Sequence, residues 1–270
     1  MQRCLIGLFK LLPLWLLYGL MCLVIPFYVL IDSKGRRASR AFYRRLGHSR
    51  AGSLRMAWLN MFNMGKVVLD RFAAYAGKSF EIVGEGLEIY DRMSRGENGA
   101  ILLSAHTGNY EMVGYLLPSR KPMSVLVYGG ETSTVMENRS RLFSKTSIRM
   151  VKVEEDMSHL FKLNAALASG EFVSLPADRV YGSSKTVRSR FLGEEASFPA
   201  GPFKLAKSRD VPVYAVHVMK EGLRRYRVYM DRMPADGGAQ EMADAYCASL
   251  ERTVRKYPLQ WYNFFDFWKQ

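Results

Sequence analysis

Ala100-Ile101-Leu102-Leu103-Ser104-Ala105-His106-Thr107-Gly108-Asn109-Tyr110-Glu111 is the stretch from which the fold is read. Its apolar first half is short and uncharged, the pattern of a buried strand over 100–104. After it a glycine and a polar pair lead into a second apolar run, which reads as a helix near 108–117 with Gly108 as its N-cap and Glu111 in its first turn. A strand that passes through a turn into a helix is the repeating unit of an open α/β sheet, and such sheets place their ligands outside the carboxyl ends of the strands. His106 stands at that position. With Glu111 reaching back toward the entering chain, the two form a candidate general base and its orienting carboxylate, and free first-turn amides could receive a developing oxyanion. A helix-capping glutamate beside an incidental histidine is the plain alternative, and the pattern alone leaves both open.

Outward from this stretch the same rhythm continues. Strand patterns over 80–83, 123–127, 149–153 and 172–175 alternate with helical patterns over 87–93, 134–144 and 157–168. Strands separated by helices of this length imply a mainly parallel sheet covered by helices. Residues 176–199 interrupt the alternation and read as a long irregular loop, a kind of segment that is usually functional. Beyond it lie a helix from Pro202, strands over 211–219 and 226–231, and a helix over 239–256. The expected fold is therefore α/β, with a mixed, mainly parallel sheet flanked by helices.

The chain begins differently. Residues 11–31 carry no charge, bracketed by Lys10 and Asp32, and about 20 such residues span a hydrocarbon core. A cleavable signal peptide has a shorter apolar region ending at small residues, whereas this one runs through Ile25-Pro26-Phe27-Tyr28. It reads as a membrane-anchoring helix, spanning or, given Pro13 and Pro26, lying in the interface. Lys34, Arg36, Arg37, Arg40, Arg44, Arg45 and Arg50 follow with no acid among them, a flank that belongs on the cytoplasmic side and against anionic headgroups. Over 53–77 the residues Leu54, Trp58, Met61, Val68, Phe72 and Tyr75 recur at helical spacing, an amphipathic helix whose stripe suits core packing. With no internal repeat or linker beyond it, the chain divides into an anchor (1–33), a basic and amphipathic helical segment (34–78) and an α/β domain (79–270).

Lys and Arg number 39 against 25 Asp and Glu, a net charge of +14 in 270 residues. Such an excess calls for an anionic partner: membrane, nucleic acid or an acidic protein. No nucleic-acid motif is present, so an anionic bilayer surface is expected rather than nucleic acid. Cys4, Cys22 and Cys247 have no ligand spacing and suggest neither a disulfide framework nor structural zinc. His48, His159 and His217 lack ligand spacing too. Gly-x-Ser-x-Gly, phosphate-loop and dinucleotide glycine patterns are absent, which leaves serine hydrolysis, nucleotide hydrolysis and hydride transfer without support.

The block His106-Thr107-Gly108-Asn109-Tyr110-Glu111 resembles the His-x4-Asp/Glu motif of membrane glycerolipid-type acyltransferases. Its His-x-Gly-Asn-aromatic-Glu form is similar to the late acyltransferases of lipid A biosynthesis, which transfer lauroyl or myristoyl groups from acyl carrier protein. A second block, Asp178-Arg179-Val180-Tyr181-Gly182, then Phe191-Leu192-Gly193 and Ala196 through Gly201, resembles that family's Asp-x-x-x-Gly, Phe-x-Gly and downstream glycine elements in order and spacing. The resemblance implies a glycerolipid acyltransferase-like fold in the bacterial inner membrane, catalytic side to the cytoplasm. His106 would be the general base and Glu111 its partner. Asn109, Asp178, Arg179, Arg188, Arg190, Gly201 and Lys204 would serve substrate binding. Acyl carrier protein or acyl-CoA would be the donor, a membrane lipid the acceptor, and no metal or bound cofactor would take part. Gly201-Pro202 is expected to open a helix with Lys204 and Lys207 in its first turns, an anion site. At the end, residues 258–268 begin like the family's Pro-x-Gln-aromatic segment but lack its Trp-x-His-x-Arg continuation. That departure leaves open acceptors other than lipid A, such as a lysophospholipid, an amino-acid lipid or a polyene lipid, and also N-acylation or a non-catalytic lipid- or carrier-binding module. The six aromatics of 261–268 suit the core better than the bilayer interface.

Overall fold

The structure, a computed structural model, describes residues 9–116, 121–127, 147–154, 156–180 and 185–270. The helix expected over 134–144 lies outside the described residues, as do Tyr181 and Gly182 of the second block.

Three helices open the chain. α1 (Leu14–Ile31) starts on Pro13, whose missing amide proton costs nothing at a helix N-terminus. α2 (Ser33–Arg45) is capped by Asp32, which accepts from the Gly35 amide at 2.8 Å, and α3 (Arg50–Tyr75) by Ser49, which accepts from Gly52 at 3.0 Å. α1 is long and apolar enough to cross a membrane by length and composition, with a mean hydropathy of 2.3. One side of it, through Leu14, Leu17, Tyr18, Met21, Ile25 and Val29, is buried in the protein. α3 approaches so closely there that a Cβ on Gly65 would fall 2.3 Å from the Met21 sulfur. The other side, with Trp15, Leu23, Val24, Phe27 and Ile31, is exposed.

The body is α/β. Its seven-stranded sheet has the order β1-β9-β8-β2-β5-β3-β4, formed by β1 (Glu81–Val83), β2 (Ala100–Ser104), β3 (Met123–Val127), β4 (Ile148–Lys152), β5 (Phe172–Pro176), β8 (Val213–Lys220) and β9 (Arg225–Arg232). Every pairing is parallel except β8 with β9, so the sheet is mixed and mainly parallel. β2, in the middle, is buried at all five positions, as a strand covered on both faces must be. One face packs Ile101, Leu103, Val173, Leu175 and Ala215 against α6 (Ser158–Ala168), α7 (Ala200–Lys207) and α8 (Ala239–Lys256). The other packs Leu102, Met123, Phe172, Val216 and Tyr226 against α4 (Gly86–Arg95) and the start of α5 (Glu111–Leu116).

The interruption expected over 176–199 is not wholly irregular. It contains an antiparallel hairpin, β6 (Thr186–Phe191) with β7 (Glu194–Pro199), closed by Leu192 at φ 54° and Gly193 at φ 88°. Two successive residues in that region form the tight turn whose twist matches paired strands. Ser189, Phe191, Ala196 and Phe198 point into the core between outward charged residues; the charges mask this period-two pattern in the sequence.

Candidate active site

β2 and β5 are neighbours in the sheet, paired in parallel from Ala100 opposite Phe172 to Ser104 opposite Pro176. The ladder runs one step further, the Ala177 amide donating to the Ser104 carbonyl at 2.9 Å. This register brings the loops after the two strands together at their carboxyl ends. His106 comes from one and Asp178 from the other. Asp178 Oδ1 lies 2.7 Å from His106 Nδ1, and its Oδ2 accepts from the His106 backbone amide at 2.8 Å. The carboxylate side chain has no solvent exposure, while the imidazole keeps 24%. Burial works to raise the Asp178 carboxyl, but His106, through charge and hydrogen bonds, and Arg179 outweigh it and hold the group below the ordinary carboxylate range. Because the carboxylate only accepts, Nδ1 carries the hydrogen between them, and in the neutral tautomer of this geometry the lone pair falls on Nε2. That is the arrangement of a base with its orienting acid.

The sequence assigns the orienting role to Glu111, and here the structure differs. Gly108 sits at φ 53° and is a turn residue, not a helix cap. The Asn109 carbonyl receives the Met112 amide at 3.0 Å, and α5 begins at Glu111. From there Glu111 Oε1 accepts from Arg71 Nη1 of α3 at 2.7 Å, with the Glu111 side chain 3% exposed. The motif's acid thus ties the helix after the histidine to α3, and Asp178 takes the imidazole. Arg71 carries no sequence signal beyond its place on the amphipathic helix. Asp178 does carry one, since it follows a buried strand in a parallel sheet.

Asn109 is buried. Its amide nitrogen donates to the Val67 carbonyl and to the Tyr226 hydroxyl, each at 3.3 Å, and its backbone amide to Val218 at 2.7 Å. These bonds brace the turn from inside. The tail forms the turn's other support. The Gly108 amide donates to the Gln260 carbonyl and the Tyr262 amide to the His106 carbonyl, both at 2.8 Å, around an antiparallel bridge between Thr107 and Trp261. Trp261 and Phe267 are buried against Phe191 at 5.3 and 5.5 Å between ring centres, so the aromatic segment packs in the core. Arg179 belongs to the same assembly, donating to the Tyr262 carbonyl at 2.8 Å and to Asn263 at 3.2 Å. The Gln270 side chain accepts from the Val180 amide at 3.2 Å and donates to the Asp178 carbonyl at 3.3 Å.

The remaining candidates lie apart from this contact network. Arg188 and Arg190 project from the solvent face of the β6–β7 hairpin, Arg188 paired with Glu195 at 3.0 Å. α7 starts at Ala200 directly out of β7, two residues earlier than expected, so Lys204 and Lys207 fall in its last turn. They are therefore at the wrong end of the helix for the expected N-terminal anion site. Gly201 faces open space. On the Leu102 face of the sheet an apolar cleft runs from Tyr110 and Glu111 past Ser104 and Ser174 to Met123, Ile148 and Met150.

Residues 49–270 match the model of the bacterial lipid A biosynthesis acyltransferase family. The chain belongs to that family. The matched span holds both sequence blocks and the His106–Asp178 pair; α1 and α2 precede it. The acyltransferase is also similar to the phosphatidylinositol mannoside acyltransferase of Mycolicibacterium smegmatis, 23% identical over 210 residues that cover 72% of this chain and 68% of the relative. An acyltransferase of lipids or glycolipids, with a lipid acceptor, is thus the class of the protein.

Proposed function

We propose that this acyltransferase moves a fatty acyl group from an acyl carrier protein thioester to a hydroxyl of a membrane lipid or glycolipid, with His106 as general base. The observation that carries the reading is the partly exposed imidazole held through Nδ1 by a fully buried carboxylate. Nε2 takes the proton of the acceptor hydroxyl as the oxygen attacks the thioester carbonyl. The tetrahedral oxyanion collapses, the carbon–sulfur bond breaks, and the imidazolium returns the proton to the departing thiolate. One thioester and one alcohol give one ester and one thiol, and the proposed chemistry calls on no metal or cofactor. Asp178 stabilises the imidazolium and fixes the tautomer, and Glu111 with Arg71 holds the motif's helix in place.

The apolar cleft beside Glu111 suits the acyl chain. The exposed side of α1 and the basic residues after it suit an anionic bilayer, here taken as the cytoplasmic face of a bacterial inner membrane. The glycophospholipid named in the relative's activity and the missing tail motif both favour an acceptor other than lipid A.

The test is acyl transfer from radiolabelled acyl carrier protein and from acyl-CoA to extracted membrane lipids. His106→Ala abolishes transfer while the protein stays folded and membrane-bound, and Asp178→Asn lowers kcat by about 10²–10⁴-fold, the usual worth of a positioned base. Retained transfer by His106→Ala would overturn the mechanism, and a preference for the CoA thioester would overturn the donor.

A further inference from the structure

Behind the tail segment that pairs with the His106 turn lies a second, polar cavity of about 250 Å3, lined by Asn63 and Lys66 of α3, Lys220 and Glu221 at the end of β8, and Gln260 and Tyr262. Gln260 and Tyr262 are the residues whose backbones bond to Gly108 and His106, so one bridged pair of segments joins this cavity to the histidine turn. Two hydrogen bonds tie its wall together: the Lys220 amide donates to Gln260 Oε1 at 2.9 Å, and Gln260 Nε2 donates to the Lys220 carbonyl at 2.8 Å.

The charges do not cancel. Lys220 donates to the buried Asp70 at 2.6 Å, a pair also reached by the hydroxyls of Tyr18 and Tyr226. Glu221 is held by Arg227 at 2.8 Å and by the Tyr257 hydroxyl at 2.5 Å. Lys66 has no carboxylate or hydrogen-bond acceptor in contact among the described residues, its ammonium instead lying 4.7 Å from the Phe62 ring centre and 5.9 Å from that of Tyr18. Partial burial lowers its proton affinity, with Asp70 opposing. Three cations thus stand against two anions, and the surplus sits on Lys66. A partly desolvated ammonium without an anion in contact is unfavourable, and one oxyanion in the cavity would relieve it.

We propose that this cavity binds the phosphate of a membrane lipid headgroup, one negative charge against Lys66 and Lys220. The inference rests on the acyl-transfer reading for its purpose but not for its test. A lipid is favoured over other phosphates because the membrane-directed helix forms part of the surroundings: Tyr18 of α1 bonds to Asp70 and lies beside Lys66.

The experiment is isothermal titration of detergent-solubilised His106→Ala protein, without any acyl donor, against dihexanoylphosphatidate, dihexanoylglycerol, inorganic phosphate and phosphopantetheine. Dihexanoylphosphatidate binds at least tenfold more tightly than the other three. Lys66→Gln and Lys66→Met each weaken it about tenfold or more, with unchanged melting temperature, and Lys66→Arg restores it. Equal binding of inorganic phosphate or phosphopantetheine overturns the lipid assignment. Binding indifferent to both neutral variants, or no phosphatidate binding, overturns the site. None of these results depends on whether His106 transfers an acyl group.

Discussion

His106 and His217 show how placement decides what an imidazole does. His106 is partly open to solvent with a carboxylate on Nδ1. His217, on β8, is sealed between the sheet and α8. The Ser249 hydroxyl donates to Asp231 at 2.6 Å, so it accepts from His217 Nε2 at 3.0 Å, and Nδ1 has no partner among the described residues. Burial pushes this imidazole down to about 4. The folded protein therefore holds His217 neutral while the unfolded chain protonates it near 6.5, so stability is lost as pH falls from about 6.5 toward 4. The loss approaches ~3 kcal/mol, from about 1.4 kcal/mol for each unit of separation. Asp178, held below its ordinary value, acts with the same sign only beneath about 4, so the two windows separate. Melting temperatures in detergent decline across the upper window for the native chain and much less for His217→Asn; parallel declines would refute the assignment to His217.

At the scale of elements, two motif glycines separate cleanly. Gly108 has φ 53°, and a Cβ there would meet the Val218 carbonyl oxygen at 2.0 Å. Gly201, inside α7, has open space around it. Gly108→Ala must shift the turn away from β8, breaking the Asn109–Val218 and Gly108–Gln260 bonds; it costs about 3 kcal/mol or more and acyl transfer falls with it. Gly201→Ala stays within about 0.5 kcal/mol of the native protein or gains slightly, since alanine is the better helix former. Thermal melts of the two variants side by side check this, and equal destabilisation would contradict the turn geometry. The contrast marks what the sequence could convey. The parallel sheet, the strand before His106 and the helices of the second half are legible because local apolar period encodes them. Which acid meets the histidine is not, because that depends on β5 lying beside β2, a pairing 72 residues apart in sequence for His106 and Asp178. Lys204 is misplaced for a smaller reason: α7 starts two residues early, and in an eight-residue helix that moves a side chain from the first turn to the last.

Over the whole molecule the net charge of +14 is unevenly placed. α1 turns its exposed apolar side outward and is followed at once by a run of cations, of which Lys34, Arg37, Arg44 and Arg50 are exposed. Burial of the α1 side chains is indifferent to lipid charge, whereas each basic residue near an anionic surface contributes about 1 kcal/mol. The two contributions respond to different variables. Replacing those four residues together by Gln leaves partition onto neutral phosphatidylcholine vesicles unchanged. It lowers partition onto vesicles containing phosphatidylglycerol by about 10²–10³-fold at low salt, the equivalent of up to four such contacts. Raising the salt erases most of that difference, because exposed charges beyond about 10 Å are screened at 0.1 M. Vesicle cosedimentation over a salt series measures both effects. An equal loss on neutral vesicles would show that the variant had disturbed α1 itself, and no loss on anionic vesicles would place the basic helix away from the bilayer.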